Sequence, residues 1–189
     1  MSGRKSIKRE VIEWAVMLGV FGILYVTGLH TEVIGQLQRL VVMTGIMQPS
    51  INSEEQPASY EVWLEDLEGE RVSMQSMKGE TIFLNVWATW CPPCIAEMPD
   101  IDALYQEVKD EVVFVMLSRD QDEQKAKDWI TKKGYQFPVY FLRGRLPEIY
   151  RSQAIPTTYV ISPEGYVTVR NAGMAKYNTD SFKEYLTKL

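Results

Sequence analysis

The two cysteines of this 189-residue chain, Cys91 and Cys94, are separated only by Pro92 and Pro93. Two cysteines placed at random in a chain of this length fall three apart in roughly 1% of arrangements, so the spacing argues for a shared function. The prolines suit the first turn of a helix, where a missing N–H costs little. Cys91 then stands at the start of that helix and Cys94 one turn inside it. A helix N-terminus offers unpaired N–H groups and the positive end of the macrodipole, which stabilise a thiolate, the nucleophilic form of cysteine. Cys91, at the exposed tip, is the expected attacking residue, and Cys94 the one that resolves a mixed disulfide. Positions 92 and 93 have no N–H to offer, so the amide of Cys94 is the nearest remaining donor to the Cys91 sulfur. The competing readings are a structural disulfide, half of a metal site, or inert core thiols. A disulfide closing so short a loop constrains the unfolded chain little. A zinc site needs about four ligands, and the only histidine, His30, lies in a different segment. Neither a metal nor a cofactor is expected.

The elements around the cysteines must position them. Residues 81–87, Thr-Ile-Phe-Leu-Asn-Val-Trp, read as a buried strand, and 88–90 turn the chain. A helix over 92–108 follows, with Ile95, Met98, Ile101, Leu104, Tyr105 and Val108 at helical spacing and a kink or restart expected at Pro99. Beyond it come a strand at 112–117, a helix at 122–133 ended by Gly134, a strand at 137–142 and a short helix at 146–152. A hairpin, 157–161 with 166–171, turns at Ser162-Pro163-Glu164-Gly165, and a helix at 180–188 closes the chain. Upstream, 60–64 and 70–73 read as a β-hairpin joined through Asp66 to Gly69. Strands alternating with helices imply an α/β fold, a central mixed sheet with helices on both faces.

Two further features complete a constellation: Ile155-Pro156-Thr157-Thr158 ahead of the hairpin, and Glu97 three residues after Cys94. The run Leu-Asn-Val-Trp-Ala-Thr-Trp-Cys-Pro-Pro-Cys-Ile-Ala-Glu-Met-Pro with the later Ile-Pro-Thr-Thr resembles the thioredoxin-like TlpA/ResA/CcmG family of membrane-anchored bacterial thiol-disulfide oxidoreductases, over roughly residues 58–189. The resemblance implies a thioredoxin-like fold with an N-terminal β-hairpin and a central α/β insertion, about 122–142. It implies that Pro156 is the family's cis-proline, whose loop, with Ile155, faces the dithiol and binds the substrate. It makes Glu97 the glutamate that tunes the cysteines and moves a proton. Asn85 departs from thioredoxin, which has a buried acid there, so Glu97 is the candidate for proton transfer on Cys94. The competing reading of Glu97 is a solvated helix carboxylate, since acidic residues are common in a first turn. Trp90 is the expected lid beside the sulfur.

The rest of the chain divides at the N-terminal side. Residues 1–10 are short and basic, with Arg4, Lys5, Lys8 and Arg9. Residues 11–29 carry one charge, Glu13, and are long enough to span a bilayer. The basic flank places the N-terminus in the cytoplasm and everything from residue 30 outside the inner membrane, a periplasmic or extracytoplasmic address. A cleaved signal peptide is the rival reading, without a convincing cleavage site after Leu29; a buried soluble helix is a third. Residues 30–47 read as an amphipathic helix on Val33, Leu37, Leu40, Val41 and Thr44, lying on the membrane or against a partner. Residues 48–59 are a polar, proline-bounded tether that lets the domain at 60–189 stand off the membrane. The net charge of −5 hides an asymmetry, with five Lys/Arg against three Glu in residues 1–47 and an acidic remainder. With no basic face or nucleic-acid motif, DNA and RNA are not expected partners.

The expected function is a membrane-anchored thiol-disulfide oxidoreductase, by resemblance a reductant of disulfide-bearing protein substrates, re-reduced by an upstream membrane electron donor and serving cytochrome c maturation or general thiol repair. A thiol peroxidase on the same fold is the alternative, against which Thr89 stands two residues before Cys91, not three. A copper-holding chaperone is another, against which no histidine follows His30. A scaffold with incidental chemistry is the last.

Overall fold

The structure, a computed structural model, describes residues 7–27, 29–49 and 55–189. The expectations for residues 1–6 and for the middle of the tether, 50–54, lie outside the described residues. Two helices open the chain, α1 (Ile7–Val26) and α2 (Leu29–Met43). Two-residue strand β1 (Gln56–Pro57) and the hairpin of β2 (Trp63–Glu65) and β3 (Arg71–Ser73) lead to a 3-10 turn at Met74–Met77. Then come β4 (Thr81–Trp87), α3 (Pro92–Val108), β5 (Val112–Ser118), α4 (Glu123–Lys133) and β6 (Val139–Arg143). A 3-10 turn at Glu148–Tyr150, β7 (Thr157–Ile161), β8 (Tyr166–Ala172) and α5 (Asp180–Lys188) complete it.

The strands form one sheet in the order β1-β8-β7-β4-β5-β6-β2-β3. The centre, β4, β5 and β6, is parallel; β7 joins β4 antiparallel, and both edges are antiparallel. This is a thioredoxin-like α/β fold with a mixed sheet. Every residue of β4 is buried, as the unbroken apolar run demands of a central strand. Successive side chains point to opposite faces. Phe83 and Trp87 join α3, α4 and α5 in one core through Met98, Leu104, Ile130 and Phe182. Ile82, Leu84 and Val86 join the other with Tyr60, Val62, Leu64, Met74 and Tyr150. The expected helices on both faces are therefore not found: all three helices of the domain pack on one face. The other is covered by the segment before the hairpin and by the two 3-10 turns. The helix expected at 146–152 contracts to the 3-10 turn because Pro147 precedes it and only three residues turn. α3 runs through Pro99 without the expected restart.

α4 ends as expected at Gly134, whose φ of 73° suits a residue without Cβ. Arg143, at the end of β6, bridges the hairpin to α4. Its guanidinium donates to Glu65 at 2.6 and 2.8 Å and to Glu123 at 2.6 and 2.9 Å.

The N-terminal helices depart most from expectation. The apolar stretch 11–29 is not one helix: α1 ends at Val26 and α2 begins at Leu29. Among the described residues no single helix is long and apolar enough to cross a membrane; α1 and α2 are so only together, and they meet at 94°. α2 is amphipathic, but its apolar residues Val33, Ile34, Leu37, Leu40 and Val41 face outward. The opposite side packs on this chain's own domain. Glu32 accepts from Trp129 Nε1 at 2.7 Å and pairs with Lys133 at 2.6 Å. Gly35 faces α3 so closely that a Cβ there would meet Ile95 Cγ2 at 2.9 Å and the Pro92 carbonyl oxygen at 3.1 Å. The tether is also tied down. Lys176 N donates to Met47 O at 2.7 Å, β1 pairs with β8, and Ser59 N donates to the Tyr150 hydroxyl at 3.2 Å. The expected stand-off of the domain is thus corrected at both described ends of that stretch.

Gly35→Val should push α2 off α3. Overpacking of this kind costs about 1–3 kcal/mol. Hydrogen exchange should show lost protection at the amides of α2 while β4 and β5 keep theirs; unchanged protection in α2 would contradict the close approach.

Candidate active site

β4 delivers the chain to the site. The turn after it is held by Asp120, which follows β5: its carboxylate accepts from Thr89 N at 3.0 Å, from Thr89 Oγ1 at 2.6 Å and from Ser118 Oγ at 2.9 Å. Cys91 is the N-cap of α3, and its sulfur accepts from Cys94 N at 3.2 Å, the donor that the two prolines leave. Cys91 and Cys94 are disulfide-bonded. Cys91 is not an exposed tip: it is 4% exposed and Cys94 is fully buried. Trp90, 57% exposed, is the projecting residue. The loop at 152–156 faces them. The Ile155–Pro156 bond is cis, and the Ile155 carbonyl oxygen lies 3.6 Å from Cys91 Sγ. Trp90 and Ile155 border a small cleft of about 350 Å³ beside the dithiol. The sequence-derived residues Trp90, Cys91, Cys94, Ile155 and Pro156 therefore come together. His30 does not; it sits against Leu24 O and Tyr25.

Glu97 is fully buried, not a solvated carboxylate. Its Oε1 accepts from Asn85 Nδ2 at 2.9 Å and its Oε2 from Ala175 N at 3.1 Å. Burial pushes its carboxyl up to about 8, against the pull of those two donors, with Asp100 adding a smaller push. Asn85, neutral where thioredoxin has an acid, also donates to Thr158 Oγ1 at 2.9 Å. Tyr177 donates its hydroxyl to the same Thr158 oxygen at 2.7 Å and is held well above its ordinary range by burial. Asp100, one turn after Glu97, accepts from Tyr177 N at 2.6 Å and Asn178 N at 2.9 Å. The segment between β8 and α5 is thus stapled to α3 by two carboxylates. Sequence reasoning missed Thr158, Ala175, Tyr177, Asp100 and Asp120. The one local signal was Asp100, three residues beyond Glu97 on the same helix.

The chain matches the model of the AhpC/TSA family over residues 56–170. The chain belongs to this family. It is 33% identical over 126 residues to the thiol-disulfide oxidoreductase ResA of Halalkalibacterium halodurans, covering 65% of this chain and 72% of that one. Among solved structures it resembles StoA from Bacillus subtilis, at 28% identity and a TM-score of 0.56, over 70% of this chain and 98% of that one. The pneumococcal exposed lipoprotein thioredoxin Etrx1 from Streptococcus pneumoniae is similar at 28% identity and a TM-score of 0.56, over 67% and 98%. The resemblance expected from the motifs is thus found, and the chain is a thiol-disulfide oxidoreductase of ResA type.

Glu97 sets a pH dependence. Unfolded, its carboxyl ionises near the ordinary 4.5; folded, near 8. Between those values the folded state holds the extra proton, so its stability falls as pH rises through the window and levels off on either side. Glu97→Gln should remove that slope, about 1.4 kcal/mol per pH unit. Urea midpoints of the oxidised protein between pH 4.5 and 8 check it; parallel curves for the two proteins would contradict the assignment.

Proposed function

We propose that this thiol-disulfide oxidoreductase works as a reductant of disulfide-bearing proteins on the extracytoplasmic side of a bacterial inner membrane. The carrying observation is Cys91 at the N-cap of α3, bonded to Cys94 and touching the cis-proline loop. In the reduced protein the Cys91 thiolate, stabilised by the Cys94 amide and the helix N-terminus, attacks one sulfur of the partner's disulfide. A mixed disulfide forms and the partner's other sulfur leaves as a thiolate, which takes a proton. Cys94 then attacks Cys91 Sγ, the Cys91–Cys94 bond forms, and the partner departs as a dithiol reduced by two electrons. A membrane electron donor returns two electrons to the pair. Glu97, one turn beyond Cys94, holds a proton with an affinity near that of an ordinary thiol, so a proton can pass between them at small cost. Trp90 and the Ile155–Pro156 loop position the partner. The motif resemblance assigns the chain, in this reading, to cytochrome c maturation or to general repair of extracytoplasmic thiols. The peroxidase reading gains nothing from the site, because the Thr89 hydroxyl is committed to Asp120.

The membrane part of the proposal rests on α1 and α2. α1 buries none of its large apolar residues from Val11 to Val26. Its 20 residues extend about 30 Å, and together with α2 it reaches the length and apolarity that a membrane span needs. Its charged residues, Lys8, Arg9, Glu10 and Glu13, all fall in the N-terminal turns, the end that reaches the headgroups. With α1 along the bilayer normal, a 94° bend lays α2 in the membrane plane. His30, which touches α1, falls on the same side of α2 as Ile34, Leu37 and Val41. One placement therefore turns the apolar face of α2 to lipid and its opposite face, with the domain and the α3 N-terminus, to the aqueous side.

The full chain in detergent, equilibrated against glutathione or dithiothreitol, should show a Cys91–Cys94 potential at or below about −270 mV, the thioredoxin range. A value near about −120 mV, that of a strong oxidant, would end the reductant reading. Cys94→Ala should accumulate mixed disulfides with partner proteins, and Cys91→Ser should lose essentially all disulfide reduction. In cells, the chain should stay with membranes through alkaline carbonate and be cut by protease added to spheroplasts. Release by carbonate, or protection from protease, counts against the membrane placement.

A further inference from the structure

Four of the six arginines beyond residue 48 line one cleft, and none of the nine lysines does. Arg119 follows β5, Arg145 and Arg151 flank the 3-10 turn at Glu148–Tyr150, and Arg170 lies on β8. They converge on a space of about 1050 Å³. That cleft runs into the smaller one beside the dithiol: Arg119, Ser152, Gln153 and Ala154 border both. The concentration of cations stands out because residues 48–189 hold 15 Lys/Arg against 22 Asp/Glu.

The acids at the cleft are already engaged. Asp120 accepts from Thr89 and Ser118, Glu123 is held by Arg143, and Glu148 pairs with Arg151. Two of the arginines have structural work. Arg151 Nε donates to the Leu146 carbonyl, and Arg170 Nη2 to the Arg151 carbonyl at 3.2 Å. Arg119 and Arg145 have none: both side chains are exposed, without an ion pair or hydrogen bond among the described residues. Guanidinium is the side chain whose fork fits a carboxylate with two parallel hydrogen bonds, so arginine without lysine favours carboxylate over diffuse charge.

The geometry points to a substrate subsite: the cleft binds aspartate and glutamate side chains of the disulfide-bearing polypeptide, in the sequence flanking the disulfide that reaches Cys91. This deepens the reductase reading and rests on it. A chain laid from Trp90 and Ile155 along the 152–154 loop meets Arg119 first and the other three arginines after it. The subsite selects among disulfides and takes no part in sulfur exchange.

The test uses the reduced full chain in detergent micelles. Its substrates are three fluorogenic peptides with one intramolecular disulfide each, flanked on both sides by Glu, Ser or Lys. Exposed ion pairs are individually weak, so two or three together should raise kcat/KM for the Glu peptide over the Ser peptide by about tenfold at low salt. High salt should shrink the ratio. Arg119→Gln with Arg145→Gln should bring it close to one, and Arg145→Glu should shift preference toward the Lys peptide. A wild-type ratio of one, or a ratio the double variant keeps, overturns the subsite while leaving the reductase reading intact. Failure to reduce any of the three peptides overturns both.

Discussion

With neither face of β4 open to water, the chain must build a dry layer on each side of the sheet. The pleat sends Phe83 and Trp87 one way and Ile82, Leu84 and Val86 the other. It also sends Asn85 into the helix-side core, where an unbonded amide would cost a large part of the domain's stability. The nitrogen of that amide donates to Glu97 and Thr158, and those two bonds draw α3 and β7 to the centre of the sheet. The position of the α3 N-terminus, and with it the dithiol, follows from where β4 ends and from what Asn85 must bond.

Glu97 is the costly partner in this arrangement. A sealed carboxylate without a cation would be strongly unfavourable, and the carboxyl responds by holding its proton to about pH 8. What is lost in stability near neutral pH is matched by two gains. The carboxyl fixes the backbone at Ala175, and it stands one turn beyond Cys94 with a proton affinity in the thiol range. A lysine or arginine partner would have held Glu97 ionised and removed the second. Asp100 shares the fixing of residues 177 and 178 from the wetter side of the same helix.

α2 inverts the usual arrangement of an amphipathic helix. Its apolar stripe points away from the protein while Glu32 and Gly35 make the close contacts. Because it docks on Pro92 and Ile95, in the first turn of α3, whatever holds α2 also holds the dithiol. α2 and the dithiol are thus packed against one another, not the two ends of a loose tether.

Local signals were legible in the sequence wherever the physics involved near neighbours. The apolar run at 81–87, the proline-framed helix start, the Gly134 cap and the turn at Ser162–Gly165 each depend on a few consecutive residues, and each stands where expected. So do the dithiol and its amide donor, because both belong to one helical turn. What the tertiary structure alone decided depends on residues far apart in sequence. Glu97 reads as a surface helix acid until β4 and the segment at 175 close over it. α2 reads as an amphipathic helix, but that its polar side docks on this chain's own domain is decided only by Trp129 and Lys133, about a hundred positions on, which claim Glu32. Helices on one face instead of two, Arg143 between two glutamates, and four arginines from three segments around one cleft have no local signature. Periodicity and caps are set by the backbone's own geometry over a few residues, whereas burial and charge pairing are set by which distant segments the sheet order brings together.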